Sequence, residues 1–237
     1  MAFYSDFAGH YEKIFPYRAG TYDFLDSWLP RKGRILDIGC GTGHYCGALH
    51  DSGRSSLGID LDPGMIQQAE RLYPDVDFRI LGMEEISLLP HSSFAGVFCI
   101  GNVLPHLRSD LLAGFLLDVR KLLVPGGIWI FQTVNFDPIL QEQDFVFPEI
   151  RLTGEQLAFS RWYEDIRPDH LTFRTSLDSP RGEIFSGTVE LYPRYSGDYA
   201  AGHRALGFER LGHFADFSGR RYDAGTHSGS VFIWRKG

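Results

Sequence analysis

Residues 34–49 read RILDIGCGTGHYCGAL: an apolar run with an acid inside it, glycine at every second position (Gly39, Gly41, Gly43), then a stretch suited to a helix. Few folds take a chain out of a buried strand through so tight a loop. Without Cβ atoms, the glycines let the backbone turn sharply and let a ligand approach main-chain atoms. The helix start that follows presents unpaired N–H groups carrying partial positive charge. This is the opening of a doubly wound sheet, where ligands lie beyond the carboxyl ends of the strands at the switch point. The spacing also narrows the ligand. A dinucleotide loop reads G-x-G-x-x-G, but here the third glycine comes one place early and His44 occupies the expected position. The G-x-G-x-G spacing behind Asp37 argues against a nicotinamide pyrophosphate.

The first half alternates two periodicities. Strands are expected at 34–39, 56–60, 77–81, 94–101 and 127–135, separated by helical patterns at 42–51, 63–73 and 108–123. Such alternation predicts a parallel sheet with helices on both faces. Pro63 suits a first helical turn, and the third helix stops before Pro125-Gly126-Gly127.

Charge and cysteine content exclude other classes. The net charge is -7, where a protein tracking a phosphate backbone ordinarily carries a basic excess; no nucleic-acid partner is expected. The balance changes near residue 150: Lys and Arg number 11 against 19 Asp and Glu in residues 1–150, and 12 against 11 in residues 151–237. Cys40, Cys46 and Cys99 form no C-x-x-C pair and sit in apolar stretches, which predicts reduced, buried thiols and no metal site. No window approaches the roughly 20 apolar residues of a membrane span, and MAFYSDFAGHYEKIF lacks the pattern of a secretory signal. A cytoplasmic protein without a membrane partner is expected; a homodimer is left open.

The sequence LDIGCGTG resembles the first motif of class I S-adenosylmethionine-dependent methyltransferases, and LGIDLDPGMIQQA, GVFCIGNVLPHL and LLVPGGIWIFQTVN resemble later motifs in register. The resemblance implies a Rossmann-like methyltransferase fold: α/β, doubly wound, with a mostly parallel seven-stranded sheet. It implies S-adenosylmethionine as cofactor and S-adenosylhomocysteine as product. Asp37, Gly39, Cys40, Gly41 and Gly43 would then wrap the methionine portion of the donor, and Asp60, about 20 residues past the loop, would accept both ribose hydroxyls. Leu61 and Met65 would flank the adenine, and Ile100, Gly101 and Asn102 would border the donor from the fourth strand. One departure stands out. Where the family commonly shows Gly-Asp-Ala after the third strand, this chain reads Leu81-Gly82-Met83-Glu84, which leaves backbone atoms of Met83, with Glu84 nearby, to read the adenine edge. In the N-terminal segment Tyr11 matches a tyrosine placed near the sulfonium, and Arg18 would pair with the donor carboxylate; ordinary helix packing accounts for either residue as simply.

Residues 145–193 interrupt this pattern with short alternating stretches and turns, an antiparallel meander read here as a lid inserted after strand five. Residues 1–30 are read as a helical cover, and the whole of 1–237 as one domain. Within the insert, aromatic residues including Tyr163 and Tyr192 and the cations Arg161, Arg174 and Arg194 suggest an acceptor site, since small-molecule sites are apolar with a few placed polar groups. Packing of the meander explains the aromatics equally well. The insert weakly resembles those of glycine, sarcosine and amino-sugar N-methyltransferases, implying a small-molecule acceptor methylated at nitrogen by in-line displacement under a closed lid. His106 is the first candidate for a base and Tyr11 the second, although a lone histidine is as often structural and Asn102 equally a loop cap. Two alternatives remain: a non-methylating enzyme using the same or a modified sulfonium, and a binding module without turnover.

Overall fold

The structure, a computed structural model, describes residues 8–143, 145–152 and 154–237. Residues 1–7 of the expected cover and residues 144 and 153 lie outside it. The body is a seven-stranded sheet in the order β10-β11-β5-β4-β1-β2-β3. Its strands are β1 (Arg34–Ile38), β2 (Ser56–Asp60), β3 (Asp77–Ile80), β4 (Phe94–Cys99), β5 (Leu123–Val134), β10 (Phe208–Phe214) and β11 (Gly229–Lys236). The first five are parallel, and β11 runs antiparallel to both β5 and β10. The α-helices among the described residues are α1 (Ala8–Ile14), α2 (Ala19–Trp28), α3 (His44–Asp51), α4 (Pro63–Leu72), α5 (Leu112–Leu122), α6 (Phe136–Glu142) and α7 (Ser196–Ala205).

Alternation along the central strands divides the core. Leu36 and Ile38 of β1 and Trp129 and Phe131 of β5 pack on one face with Phe115 and Trp234. Ile35, Ile128 and Ile130 face the other side, against Leu25 and Leu29. A sheet covered on both faces needs apolar residues at both parities, and β4, FAGVFC, is buried at every position. Helix α4 starts where it does because Asp62 accepts hydrogen bonds from the N–H groups of Gly64 and Met65 (2.8 and 3.1 Å), with Pro63 in the first turn.

The expected helix at 108–123 begins at Leu112, after a 3-10 turn over Ser109–Leu111. Strand β5 begins at Leu123, earlier than expected, because Leu123 pairs with Phe94 and a register break between Phe94 and Gly96 absorbs the Pro125-Gly126-Gly127 turn. Helix α6 is an element the sequence reading passed over; its N-terminus is capped by Asn135, whose side chain accepts from the Asp137 N–H. The three cysteines are free and buried. Among the described residues no helix is long and apolar enough to cross a membrane.

The insert forms a second, antiparallel sheet in the order β6 (Ile150–Leu152), β7 (Leu157–Glu164), β8 (Leu171–Ser179) and β9 (Gly182–Leu191). Its registers set Leu157, Phe159, Arg161 and Tyr163 on one face, opposite Leu177, Thr175 and Phe173. On the same face of β9 lie Phe185, Gly187, Val189 and Leu191. This inner face meets α1: Ile14 is buried among Leu157, Phe159, Leu177 and Phe185, and Lys13 pairs with Glu155 at 2.5 Å. Both ends of the insert are fastened. Asp137 accepts hydrogen bonds from the Ser196 N–H (2.7 Å) and hydroxyl (2.6 Å), 59 residues onward.

Fully buried His203 fixes one tautomer. Its Nε2 accepts from the Trp129 indole N–H at 2.9 Å, so Nδ1 carries the proton and donates to the Tyr199 carbonyl at 2.6 Å. Protonation would set an Nε2–H against an indole N–H, and burial pushes the pKa down to about 4. The folded state therefore binds fewer protons than the unfolded one between about pH 6.5 and 4, so stability falls as pH drops through that window. Urea unfolding should show a loss of roughly 2 kcal/mol from this residue between pH 7 and 5. His203→Gln should flatten the slope by one proton; an unchanged slope would mean that other groups set the acid sensitivity.

Candidate active site

The glycine loop leaves β1 at the carboxyl edge of the sheet. Gly39 has φ +75°, and a Cβ there would come within 2.6 Å of the Val103 side chain, so only glycine lets the loop after β4 close on it. Asp60, at the end of β2, braces the loop: its Oδ2 accepts the Gly41 N–H and its Oδ1 the Asp62 N–H, both at 2.9 Å. Each oxygen keeps a second lone pair, which suits two ribose hydroxyls. Asp37 is buried beneath the loop, with the Cys46 thiol donating to it at 3.7 Å; burial raises its pKa well above the usual carboxylate range. Cys40 is buried in the loop itself.

Tyr11 of α1 lies over this loop, close enough that a Cβ on Gly41 would meet its ring and hydroxyl at 3.4–3.5 Å. Burial, and then the charges of Asp60 and Asp37, push its pKa up, so the phenol stays protonated. Arg18 is exposed at the N-terminal cap of α2. Leu61 is exposed beside the end of β2, whereas Met65 is buried on α4. After β3 the chain enters a 3-10 turn, Met83–Leu88, with Met83 half-buried and Glu84 exposed. The carboxylate that binds backbone there is Glu85, which accepts the Gly82 N–H at 3.2 Å; the Gly-x-x-Glu spacing was its signal in the sequence.

The segment after β4 is tied to the end of β5. The Gly101 N–H donates to Gln132 Oε1 at 2.8 Å, and Asn102, at φ +63°, accepts the Val134 N–H at 2.8 Å. Ile100 is half-buried before them. Gln132 is a positioning residue that the sequence reading passed over. His106 ends the 3-10 turn Leu104–His106, and burial pushes its pKa down to about 4.

The structure separates the acceptor-site candidates. Arg161 and Tyr163 lie on the inner face of the second sheet, the guanidinium 4.7 Å from the Phe147 ring centre and 5.7 Å from Phe15. Arg174 lies opposite Trp162, on the outer face, and pairs with Glu164 at 2.5 Å. Arg194 is buried and donates to the carbonyls of Leu107 (2.8 Å) and Tyr192 (3.2 Å). Tyr192 bonds Glu190 through its hydroxyl and donates its N–H to the Pro105 carbonyl at 2.7 Å. Arg174 is thus paired with Glu164, Arg194 with two backbone carbonyls, and Tyr192 with Arg194 fastens the insert to the loop after β4.

The residues at the carboxyl edge fit S-adenosylmethionine: a glycine cradle beside helix N–H groups, a carboxylate with open lone pairs at Asp60, and a covering phenol. Comparison with known proteins agrees. Residues 35–127 match the model of a methyltransferase domain. A tRNA U34 carboxymethyltransferase of Hahella chejuensis is 30% identical over 230 residues, covering 76% of this chain and 70% of the relative; the chain spans about half the length of several other curated relatives. A methyltransferase structure from Clostridium acetobutylicum superposes with a TM-score of 0.80 at 15% identity over 99% of both chains. CalS10, an amino pentose methyltransferase from Micromonospora echinaspora, superposes with a TM-score of 0.67 at 20% identity over 92% of this chain and 89% of its own. The chain belongs to the class I S-adenosylmethionine-dependent methyltransferase family.

Proposed function

We propose that the protein methylates a nitrogen atom of a small molecule held between the loop after β4 and the inner face of the second sheet. The protonation state of the nearby groups carries this reading. His106, with a pKa of about 4, is a feeble base at neutral pH, and Tyr11 stays protonated. A hydroxyl acceptor needs its proton removed during attack, whereas an amine that arrives neutral offers a free lone pair.

When bound, S-adenosylmethionine supplies an electrophilic methyl group on a sulfonium. The chain's own task is to hold and enclose. Asp60 and the loop N–H groups hold the donor, Tyr11 covers it, and the insert closes over the acceptor as a lid; orientation of this kind contributes up to roughly 7–11 kcal/mol. The shared fold with an enzyme named for an amino pentose supports the reading at the level of architecture only.

A second reading follows from the 30% identical relative, which is named for carboxymethyl transfer to tRNA. The net charge of -7 weighs against a surface that tracks phosphates. Incubation of amines, matched alcohols and bulk tRNA with methyl-labelled S-adenosylmethionine, and in parallel with a labelled sulfonium donor carrying a carboxymethyl group in place of the methyl, tests both. Label should enter amines and spare alcohols, while label in tRNA would replace the small-molecule reading. Product mass separates methyl from carboxymethyl transfer.

A further inference from the structure

The inner face of the second sheet has a polar gap between two apolar clusters. One cluster closes around Ile14 of α1, and the other joins Tyr163, Leu171 and Leu191 to Phe136 and Ile139 of α6. Between them runs the cross-strand row Arg161–Thr175–Gly187. Two polar side chains stand where the strand alternation places apolar ones, and the third position has no side chain.

Two buried polar atoms of the row lack a hydrogen-bond partner, Arg161 Nε and the Thr175 hydroxyl, and Tyr163 stands in the next row. Native interiors rarely leave even one such group unpaired, and each calls for an explanation. Arg161 forms no ion pair among the described residues; its guanidinium rests instead against the rings of Phe147, Phe15 and Phe159 at 4.7–5.9 Å. It is a half-buried cation with no counter-charge among the described residues. The Tyr163 hydroxyl lies toward Asn102 of the loop after β4. This face therefore borders both the end of α1, the helix that carries Tyr11, and the loop that edges the donor site.

We propose that this row is a subsite for a carboxylate of the acceptor, received by Arg161 and by the hydroxyls of Tyr163 and Thr175. A guanidinium edge offers two parallel N–H donors to the two oxygens of a carboxylate, and the hydroxyls complete the set. The orphaned atoms of Arg161 and Thr175 then gain a partner, and the half-buried charge gains a counter-ion. The assignment rests on the reading of this face as the acceptor site, and it makes the acceptor an amino acid or another amine bearing a carboxylate.

The test uses the full chain saturated with S-adenosylhomocysteine and observes the arginine Nε–H resonances by nitrogen-15 NMR. Acetate, methyl phosphate and neutral acetamide are added in separate titrations. The Arg161 signal is identified by its loss in Arg161→Lys and Arg161→Met. Acetate should shift that signal saturably and acetamide should not. Thr175→Val and Tyr163→Phe, which preserve volume, should each weaken acetate binding by roughly two- to tenfold and leave S-adenosylhomocysteine affinity unchanged. No acetate response at Arg161 would overturn the subsite, as would methyl phosphate binding more tightly than acetate. Calorimetry of S-adenosylhomocysteine on the same sample reports the donor site separately. An intact acetate response in a protein that methylates no amine would retain the anion site and overturn the acceptor reading instead.

Discussion

Replacing Asp60 by alanine should weaken S-adenosylhomocysteine binding by about 1.5–3 kcal/mol, the range for losing hydrogen bonds to a charged acceptor. The residue acts twice in the structure. Its carboxylate offers free lone pairs at the end of β2, and it also holds the Gly41 N–H at 2.9 Å, so the substitution releases the loop as well as the ligand. Asp60→Asn separates the two roles, since an amide oxygen still accepts one N–H but lacks the charge. Titration calorimetry should rank wild type, Asn and Ala in falling affinity, and equal affinity in a folded Ala variant would place the ribose elsewhere.

Ile14→Ala should cost about 2–5 kcal/mol, the usual range for truncating a buried isoleucine, and the loss should be local. Ile14 is 3% exposed and joins α1 to Leu157, Phe159, Leu177 and Phe185 of the second sheet. Hydrogen exchange should accelerate in α1 and β6–β9 while β1 and β4 keep their protection. Because Tyr11 sits one turn earlier on the same helix, affinity for S-adenosylhomocysteine should fall alongside. Wild-type protein should show the converse, with exchange in β6–β9 slowing when the donor product and an amine are both bound. Uniform acceleration across both sheets would mean that α1 supports the whole body and not the insert.

Much of this molecule was legible in its sequence, for reasons that differ by element. Strands β1, β2 and β4 are buried on both faces, so their apolar runs had a single physical meaning. The glycine loop was legible because its conformation excludes side chains. Helix α6 escaped notice because its seven residues follow directly on the strand and include Pro138, too short a span for a helical period to declare itself. The arginines of the insert show the subtler limit. Arg161 and Arg174 look alike in composition, yet Arg161 is in phase with Leu157 and Phe159 and Arg174 is not. Parity was present in the sequence, but cross-strand register decides which parity faces inward, and register is set by contacts distant along the chain. The engagement of Arg194 with two backbone carbonyls depends on a neighbour 87 residues away and left no local mark.

The Asp137–Ser196 clasp has a consequence for how such an enzyme changes its trade. The chain departs after α6 begins and returns at the first residue of α7, with the two points of departure and return hydrogen-bonded to each other. Lengthening a loop between fixed ends costs only about 0.6 kcal/mol per doubling, so the clasp admits excursions of other lengths without altering β1 or β2. A graft at Asp137 and Ser196 therefore rebuilds no strand of the large sheet, and it has to be matched only where the insert meets α1 and the loop after β4.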